Sequence, residues 1–336
     1  MESLLAQVWE GLSRPFGQKF IPHAYQYDEK GSQLFSQMES LPEYYLTRSE
    51  MSILRDPHTV QRMQTLLSLS NPSHLTLVDL GAGDGCKTLG FMEQWCSQAK
   101  AEGTAGSMKY IPIDISAEAC RQVADTFEHS NWKQTTAWKV ACQPIIGDSL
   151  TELEKLREQQ PTPICVFFIG STLGIFDAKQ RSDYLRQLRK CLHPGDYLLL
   201  GLDLLKSHHL LIPAYSDLQG VVANINFNII HRLNKDFDMT FLPSDFEYYA
   251  TYNPHIQAME CFLVSRKELK FKTIILGANE MINTLVSRKF RLEDIPSIAE
   301  SAGFQWVTNF MDNEQFFVDT LWKVWYYKIL TDEKEI

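Results

Sequence analysis

Residues 77–88 read LVDLGAGDGCKT, and this stretch decides how the surrounding chain folds. Apolar positions around one acid form a strand candidate, which breaks into three glycines within five residues and resumes as a helix candidate. Such a turn brings backbone N–H groups close to a ligand, because glycine lacks a Cβ and accepts left-handed backbone angles. The stretch therefore predicts either a ligand-binding loop or a purely structural strand-to-helix turn.

Three classes of ligand use a loop of this kind, and the residue spacing separates them. A phosphate-binding P-loop needs G-x-x-x-x-G-K-[ST], and a dinucleotide loop needs G-x-G-x-x-G. Counted from Gly81, both patterns require a glycine where the chain has Cys86. S-adenosylmethionine (SAM) requires a tight glycine turn and a carboxylate on the next strand that holds the ribose hydroxyls, and Asp114 in KYIPIDIS occupies that place. SAM and a structural turn remain the open alternatives.

Outward from this turn, strand and helix candidates alternate along the chain. The strand candidates are LTLVDL, KYIPIDI, WKVACQPII, PICVFFIG and DYLLLGLD, and the helix candidates are residues 84–100, 117–128, 149–159 and 178–191. This rhythm predicts βαβ units and a mostly parallel sheet, with the ligand at the carboxyl ends of the strands. Polar or glycine residues stand just past five predicted strand ends: Gly81, Asp114, Asp148, Gly170 and Asp203.

The alternation stops between about residues 205 and 287, a region rich in aromatic residues and asparagine. We interpret it as an inserted lobe, with strand-like pieces in IQAMECFLVSRKELKFKTIIL. After it, SIAESAGFQWVTNF predicts a helix and a strand, and FFVDTLWKVWYY predicts a last strand. The two final strands are close enough in the chain to form an antiparallel hairpin.

Composition excludes several classes of partner. The 336 residues carry a formal charge of -9, and no basic cluster offers the positive face that nucleic acid requires. The longest basic run, Arg288–Lys289, is expected to be a solvated helix or loop end. No apolar stretch approaches the ~20 residues of a membrane helix, and the N-terminus lacks the pattern of a targeting segment. We expect a cytoplasmic protein without nucleic-acid or membrane partners, a monomer or weak homo-oligomer.

The seven cysteines occur without C-x-x-C pairs, and the nine histidines show no ligand spacing. Scattered cysteines in a long chain indicate reduced thiols rather than a disulfide framework or a zinc site. We therefore predict no metal site.

Several motifs together resemble one family, the ergothioneine-pathway histidine Nα-methyltransferases. They are YDEKGSQLF with LPEYYLTRSE, VDLGAGDGCKT, IPIDIS, FIGSTLG, GDYLLLGLDLLK, AYSDLQGV and TLVSRKF. The resemblance implies an α/β fold with a Rossmann-like SAM-dependent methyltransferase core in residues 49–203 and 290–336. It also implies a second, substrate-binding domain, formed by the N-terminal segment 1–48 and the insertion 204–289.

The resemblance further implies roles for individual residues. On the cofactor side, Gly81, Lys87 and Gly170 would contact SAM, Asp114 its ribose, and Asp148 with Ser149 its adenine. On the substrate side, Tyr44 and Tyr215 would face the amine and the carboxylate, positioning the amine and passing its proton to water, and Ser287 would help to hold a side chain such as imidazole. The alternative for both tyrosines is an aromatic core contact.

Three positions depart from the family pattern. Ile175 replaces an asparagine that binds the amino-acid head group, Leu285 replaces a glutamate that binds imidazole, and Cys261 replaces a methionine. An unpaired buried polar group costs about 1–3 kcal/mol, so two such losses weaken histidine binding by roughly 10²–10⁴. We expect the substrate to be the primary amine of a small amino-acid-derived molecule other than histidine, in specialised metabolism.

This substrate is either an unusual amino acid or an amine without the α-carboxylate. Two alternatives stay open at this point. Histidine or another aromatic amino acid could remain the substrate if Glu280 or Asn283 replaced the missing glutamate. The chain could also be a SAM-binding module without catalytic activity.

Overall fold

A computed structural model describes residues 3–68, 73–130, 138–159 and 163–325. The chain divides into two compact units. The core unit comprises Ser49–Leu173, Asp177–Leu204 and Arg291–Ile336, and the second unit comprises Met1–Arg48, Gly174–Phe176 and Leu205–Phe290. The end of the predicted last strand, beyond residue 325, lies outside the described residues.

The secondary structure alternates in the middle of the chain as the sequence predicts. The helices are α1 Leu4–Ser13, α2 Glu29–Glu39, α3 Tyr45–Leu54, α4 Pro57–Ser68, α5 Cys86–Ala101, α6 Ala117–Glu128, α7 Ser149–Gln159, α8 Ala178–Cys191, α9 His208–Tyr215, α10 Val221–Phe237 and α11 Ile295–Ser301. The strands are β1 His74–Leu80, β2 Gly106–Asp114, β3 Trp138–Cys142, β4 Ile145–Ile146, β5 Cys165–Phe168, β6 Tyr197–Asp203, β7 Phe246–Asn253, β8 Ala258–Ser265, β9 Leu269–Phe271, β10 Ile274–Leu276, β11 Met281–Arg288, β12 Gln305–Met311 and β13 Phe317–Lys323. Among the described helices, none has the length and apolar character needed to cross a membrane.

The core unit is built on one sheet with the strand order β12-β13-β6-β5-β1-β2-β3, and β4 also pairs with β2. Strands β1 to β6 pair in parallel, whereas β13 runs antiparallel to both β6 and β12. The predicted parallel sheet and its terminal hairpin are therefore confirmed. The chain leaves β1 toward β2 and later returns to β5 on its other side, which places the switch point of the sheet at the carboxyl end of β1.

Burial explains why these segments form strands. All seven residues of β6 and all four of β5 are buried, as parallel strands covered on both faces require. Helix α8 begins at a capping box in which the Asp177 carboxylate accepts from the Gln180 N–H and the Gln180 side chain accepts from the Asp177 N–H. These local signals give α6, α7 and α8 the bounds that the sequence predicts.

The second unit contains an antiparallel sheet of order β11-β8-β7, a separate hairpin of β9 and β10, and helices that pack on its core. Helix α10 falls in the region that we interpreted as an inserted lobe, for which the sequence predicted only strand-like pieces. Its asparagines are weak helix formers, but Ile225, Ile229 and Leu233 recur at helical spacing and are buried. Packing against the core therefore overrides local propensity here.

Candidate active site

The glycine turn that follows β1 has the open geometry of a ligand loop. Gly81, Gly83 and Gly85 all adopt positive φ angles, of 70°, 58° and 70°. A methyl group on Gly81 or Gly83 would meet no described atom within 4 Å. The Gly81 N–H donates to the Ile113 carbonyl at 2.8 Å, which ties the turn to the end of β2. The turn therefore exposes backbone that a ligand can approach closely.

Asp114, the last residue of β2, lies against this turn. One carboxylate oxygen accepts from the Gly83 N–H at 3.1 Å, and the other accepts from the Ser116 N–H at 2.8 Å. Asp114 is half-buried, and a carboxylate has about four lone-pair positions for acceptance. The side chain is thus fixed by two backbone donors and keeps capacity to accept from hydroxyl groups.

The turn after β4 joins the same edge of the sheet. The Gly147 N–H donates to the Asp114 carbonyl at 2.9 Å. The exposed Asp148 accepts from the N–H and the hydroxyl of Thr151, at 3.0 and 2.8 Å, and Ser149 is the first residue of α7. The structure thus brings Asp148 and Ser149 to Asp114, with one oxygen of Asp148 engaged in starting the helix.

Lys87 and Gly170 meet at a residue that the sequence analysis did not single out. The Gly170 N–H donates to Oε1 of Glu50 at 2.7 Å, and Nζ of Lys87 lies 2.8 Å from Oε2 of the same carboxylate. Glu50 is fully buried in the core unit. It is the last residue of the quoted LPEYYLTRSE motif, so the motif held the signal, but spacing alone could not indicate its partners.

A second buried acid, Asp79, lies on β1 next to the same edge of the sheet. Its carboxylate accepts from the hydroxyls of Thr88 and Tyr110, at 2.6 and 3.0 Å. Burial raises the pKa of this carboxyl to about 6, against the effect of the two hydroxyl donors. Asp79 therefore links β1, α5 and β2 beneath the glycine turn.

In the second unit, Tyr215, Ser287 and Lys289 form a compact cluster, called here the donor cluster. The Tyr215 and Ser287 hydroxyl oxygens are 2.8 Å apart, and Nζ of Lys289 donates to them at 2.8 and 2.9 Å. Lys289 is 3% exposed and its ammonium lies 4.8 Å from the centre of the Tyr215 ring. The prediction that this basic run is solvated is therefore wrong for Lys289, because its ammonium is held by two hydroxyls inside the unit.

Cys261 packs beside this cluster, and burial favours its neutral thiol. It is fully buried, and burial raises the pKa of its thiol to about 12. The Tyr248 hydroxyl lies 3.1 Å from the Cys261 sulfur and 2.6 Å from the Tyr215 carbonyl oxygen, to which it donates. Tyr248, which the sequence analysis missed, therefore connects β7 to the backbone of Tyr215.

The register of β11 against β8 shows which of the remaining predicted substrate residues share a face of the sheet. Leu285 pairs with Cys261, and Ser287 pairs with Met259. Since alternate residues of a strand share a face, these four lie on one face of the β11-β8-β7 sheet, called here the inner face. Ile175 is half-buried, and its carbonyl oxygen lies 3.5 Å from Nη1 of Arg288, at the end of β11.

The two candidate replacements for the missing glutamate lie elsewhere. The Glu280 carboxylate accepts from the N–H groups of Gly17 and Gly277, at 3.1 and 2.8 Å, and pairs with Lys19. It is five residues from Leu285, about 16 Å along an extended strand.

Asn283 pairs with Phe262, the neighbour of Cys261 on β8, and so lies on the opposite face from Leu285. The contacts of Glu280 and the register of Asn283 therefore do not support the alternative in which one of them replaces the imidazole-binding glutamate. A β-bulge between Asn283 and Leu285 sets this register, and the sequence pattern gave no sign of it.

Tyr44 is buried in the turn before α3, 8% exposed. Its N–H donates to the Leu41 carbonyl at 3.2 Å, and its own carbonyl accepts from Arg48 at 3.4 Å. The following residue, Tyr45, accepts from Nζ of Lys206 at 2.9 Å. The backbone of Tyr44 is thus well fixed, and the role of its hydroxyl in binding an amine stays a prediction.

Comparison with known proteins decides the family. The profile of the family described as histidine-specific, SAM-dependent methyltransferases matches residues 4–324. The chain belongs to this family. It is a SAM-dependent N-methyltransferase, as the sequence analysis expects, rather than the alternative of a SAM-binding module without catalytic activity.

Relatives that are similar to this chain differ in the amino acid for which they are named. The histidine N-alpha-methyltransferase of Mycolicibacterium smegmatis is 31% identical over 90% of this chain and 89% of its own length. The enzyme of the same name from Mycobacterium tuberculosis is 30% identical over 90% of this chain and 88% of its own. An L-tryptophan methyltransferase from Psilocybe serbica is 25% identical over 93% of this chain and 90% of its own.

The cofactor of the family, SAM, fits the edge of the core sheet. The open backbone over Gly81 and Gly83 leaves room for a ligand, and Asp114 keeps acceptor capacity for hydroxyl groups. Both observations match the two requirements, glycine turn and carboxylate, that the sequence analysis derived for SAM.

Proposed function

We propose that this methyltransferase acts on the primary amine of a small amino-acid-derived molecule other than histidine, in specialised metabolism. The observation that carries this proposal is the composition of the inner face in the second unit. It presents Leu285 and the fully buried Cys261 beside the donor cluster, while Glu280 is held by Gly17, Gly277 and Lys19. An imidazole N–H directed at Leu285 would lack the carboxylate partner of the family pattern, at a cost of about 1–3 kcal/mol.

The donor cluster favours a substrate that carries an acceptor group. A lysine ammonium only donates, so both hydroxyl oxygens of Tyr215 and Ser287 accept from Lys289. The two hydroxyls also bond to each other, and the buried Lys289 ammonium gives the cluster its positive charge. A carboxylate or carbonyl is suited to this arrangement, whereas an ammonium is repelled. This supports an amino-acid-like substrate over an amine without the carboxylate.

The protonation state of the amine determines what Tyr44 and Tyr215 have to do. An alkyl amine with a pKa near ~10 is protonated at neutral pH and must lose that proton before its lone pair can attack. When bound, SAM supplies the electrophilic methyl group. Tyr44 orients the amine and passes its proton to water, and Tyr215 holds the acceptor group, so that the nucleophile is aligned before it reacts.

On the cofactor side, the proposal assigns each residue a contact. The backbone of Gly81 and Gly170 and the ammonium of Lys87 hold the methionine part, and Asp114 accepts from the ribose hydroxyls. Asp148 and Ser149 hold the adenine. These assignments rest on the family resemblance and on the position of all these residues along the carboxyl edge of the sheet.

Replacement of Asp114 by alanine tests the cofactor site. We expect Asp114→Ala to weaken SAM binding by about 1–3 kcal/mol, because charge-assisted hydrogen bonds to the ribose are lost. Calorimetric titration with SAM measures the effect, and Asp125→Ala, on the exposed face of α6, controls for the loss of one negative charge. Unchanged affinity in a folded Asp114→Ala protein would remove Asp114 from the site.

Removal of the two hydroxyls tests the substrate side. We expect Tyr44→Phe and Tyr215→Phe each to slow methylation by about 10- to 100-fold, the effect of one lost hydrogen bond to a polar ligand group, with nearly unchanged SAM affinity. Tyr249→Phe is the matched control, since Tyr249 lies on β7 with 48% exposure. Equal loss of SAM binding in either variant would indicate a role in folding or cofactor binding instead.

The substrate itself is accessible to a mass-spectrometric screen. Purified enzyme and SAM are incubated with amino acids paired with their decarboxylated counterparts, and products are scored for one, two or three added methyl groups. The proposal expects methylation of an amino-acid member of a pair other than histidine. Methylation confined to decarboxylated amines, or preferred turnover of histidine, would contradict it.

A further inference from the structure

The core unit contains a group of charges that the roles above do not explain. Glu50 bridges the Gly170 N–H and the Lys87 ammonium, at 2.7 and 2.8 Å, and its side chain is fully buried, whereas that of Lys87 is 17% exposed. Gly170 follows β5, whereas Lys87 is near the start of α5. One buried carboxylate therefore connects two segments of the sheet edge that are 83 residues apart in the chain, the difference between positions 170 and 87.

A second carboxylate lies over the same backbone. A methyl group on Gly201 would collide with Oε1 of Glu50 and lie 3.2 Å from an oxygen of Asp319. Asp319 is fully buried, and within the described ranges neither of its carboxylate oxygens has a hydrogen-bond partner. Burial, reinforced by the charge of Glu50, raises the pKa of Asp319 well above its usual range.

The charge of Lys87 acts on both Glu50 and Asp319. A buried unpaired charge is far more costly than a protonated acid. Burial therefore favours the protonated form of Asp319, while the Lys87 ammonium pairs with Glu50. The close approach of Glu50 to Gly201 leaves no room for a side chain there, so the carboxylate is held in place by packing as well as by its two partners.

We propose that Glu50 is a positioning residue for the cofactor: it holds the Lys87 ammonium and the Gly170 peptide together in the arrangement that receives SAM. It acts through these two groups and does not need to contact the ligand. A methyl group on Gly170 would be only 3.5 Å from Nζ of Lys87, so the two groups are already neighbours around the carboxylate. Loss of the Glu50 carboxylate removes the acceptor for the Gly170 N–H and the ionic partner of Lys87 at the same time.

The test measures binding of S-adenosylhomocysteine by calorimetry, alongside thermal unfolding. We expect Glu50→Gln to weaken binding by about 10- to 100-fold, the effect of losing a charge-assisted contact, and to raise KM for SAM more than it lowers kcat. Asp319→Asn is the matched control, because it also replaces a buried carboxyl group of this cluster by an amide. It leaves the contacts of Glu50 with Lys87 and Gly170 in place. Its affinity should stay within about twofold of the wild type, since burial favours the uncharged form of the acid that it replaces.

A double-mutant cycle of Glu50 and Lys87 distinguishes a positioning role of Glu50 from a general effect on the stability of the protein. We expect Lys87→Met to weaken binding, and Glu50→Gln to add little in the Lys87→Met background, because residues acting as one unit are not additive. If Glu50→Gln does not fold, Glu50→Asp keeps the charge but is too short for both partners and should show the same loss. Wild-type affinity in a folded Glu50 variant, independent effects of the Glu50 and Lys87 changes, or an equal loss in Asp319→Asn would overturn the proposal.

Discussion

Replacement of Lys289 by methionine is expected to lower kcat/KM for the amine by about 10²- to 10³-fold, the largest loss that we expect from a single change in the second unit. The change removes two hydrogen bonds from a charged donor, each of about 1.5–3 kcal/mol before relaxation. It also removes the ammonium that fixes the positions of the Tyr215 and Ser287 hydroxyls, so the cluster no longer presents its donors in one orientation. Steady-state kinetics with the substrate found in the screen measures the effect.

A second buried lysine in the same unit supplies the control. Lys19 is 6% exposed and pairs with Glu280 rather than with the donor cluster. We expect Lys19→Met to lower the melting temperature but to leave kcat/KM of the folded protein nearly unchanged, whereas Lys289→Arg keeps the charge and retains part of the activity. If Lys19→Met and Lys289→Met lose activity in proportion to stability, Lys289 has a structural role only.

The second prediction concerns specificity. We expect wild-type enzyme to methylate histidine poorly. Ile175→Asn combined with Leu285→Glu should raise histidine methylation by about 10²- to 10⁴-fold, because the two new side chains would pair with polar groups of histidine that are otherwise unpaired. Activity on the enzyme's own amine should fall in the same variant, because the new polar groups would then lack partners. Competition between histidine and the native amine, followed by mass spectrometry, measures both changes.

The strand offers a matched control for the glutamate. Met281 lies on β11, as Leu285 does, but pairs with Val264 and therefore lies on the opposite face from the inner-face residues. Ile175→Asn with Met281→Glu should show no gain with histidine. Efficient histidine turnover by the wild type would mean that neither Ile175 nor Leu285 carries the recognition assigned to it.

Local pattern predicts much of the core unit, although the single strand predicted for WKVACQPII is divided into β3 and β4 and the helix predicted over residues 84–100 spans Cys86–Ala101. The period of apolar residues predicts α6, α7 and α8 with their observed bounds, and the glycine turn predicts the ligand edge, since each of these signals lies within a few neighbouring residues. The same approach missed α10, because its asparagines hide a buried face that becomes evident only when the rest of the unit is present.

The sequence by itself determined the parallel sheet, the glycine turn with Asp114 on the next strand, and the family, because these depend on local periodicity and on contiguous motifs. Only the tertiary structure decided which side chains meet. Glu50 reaches Gly170 across 120 residues and Lys289 reaches Tyr215 across 74, separations over which no local pattern reports a contact. The register of β11, set by one bulge, keeps Asn283 off the inner face, since a shift of one residue exchanges the two faces of a strand.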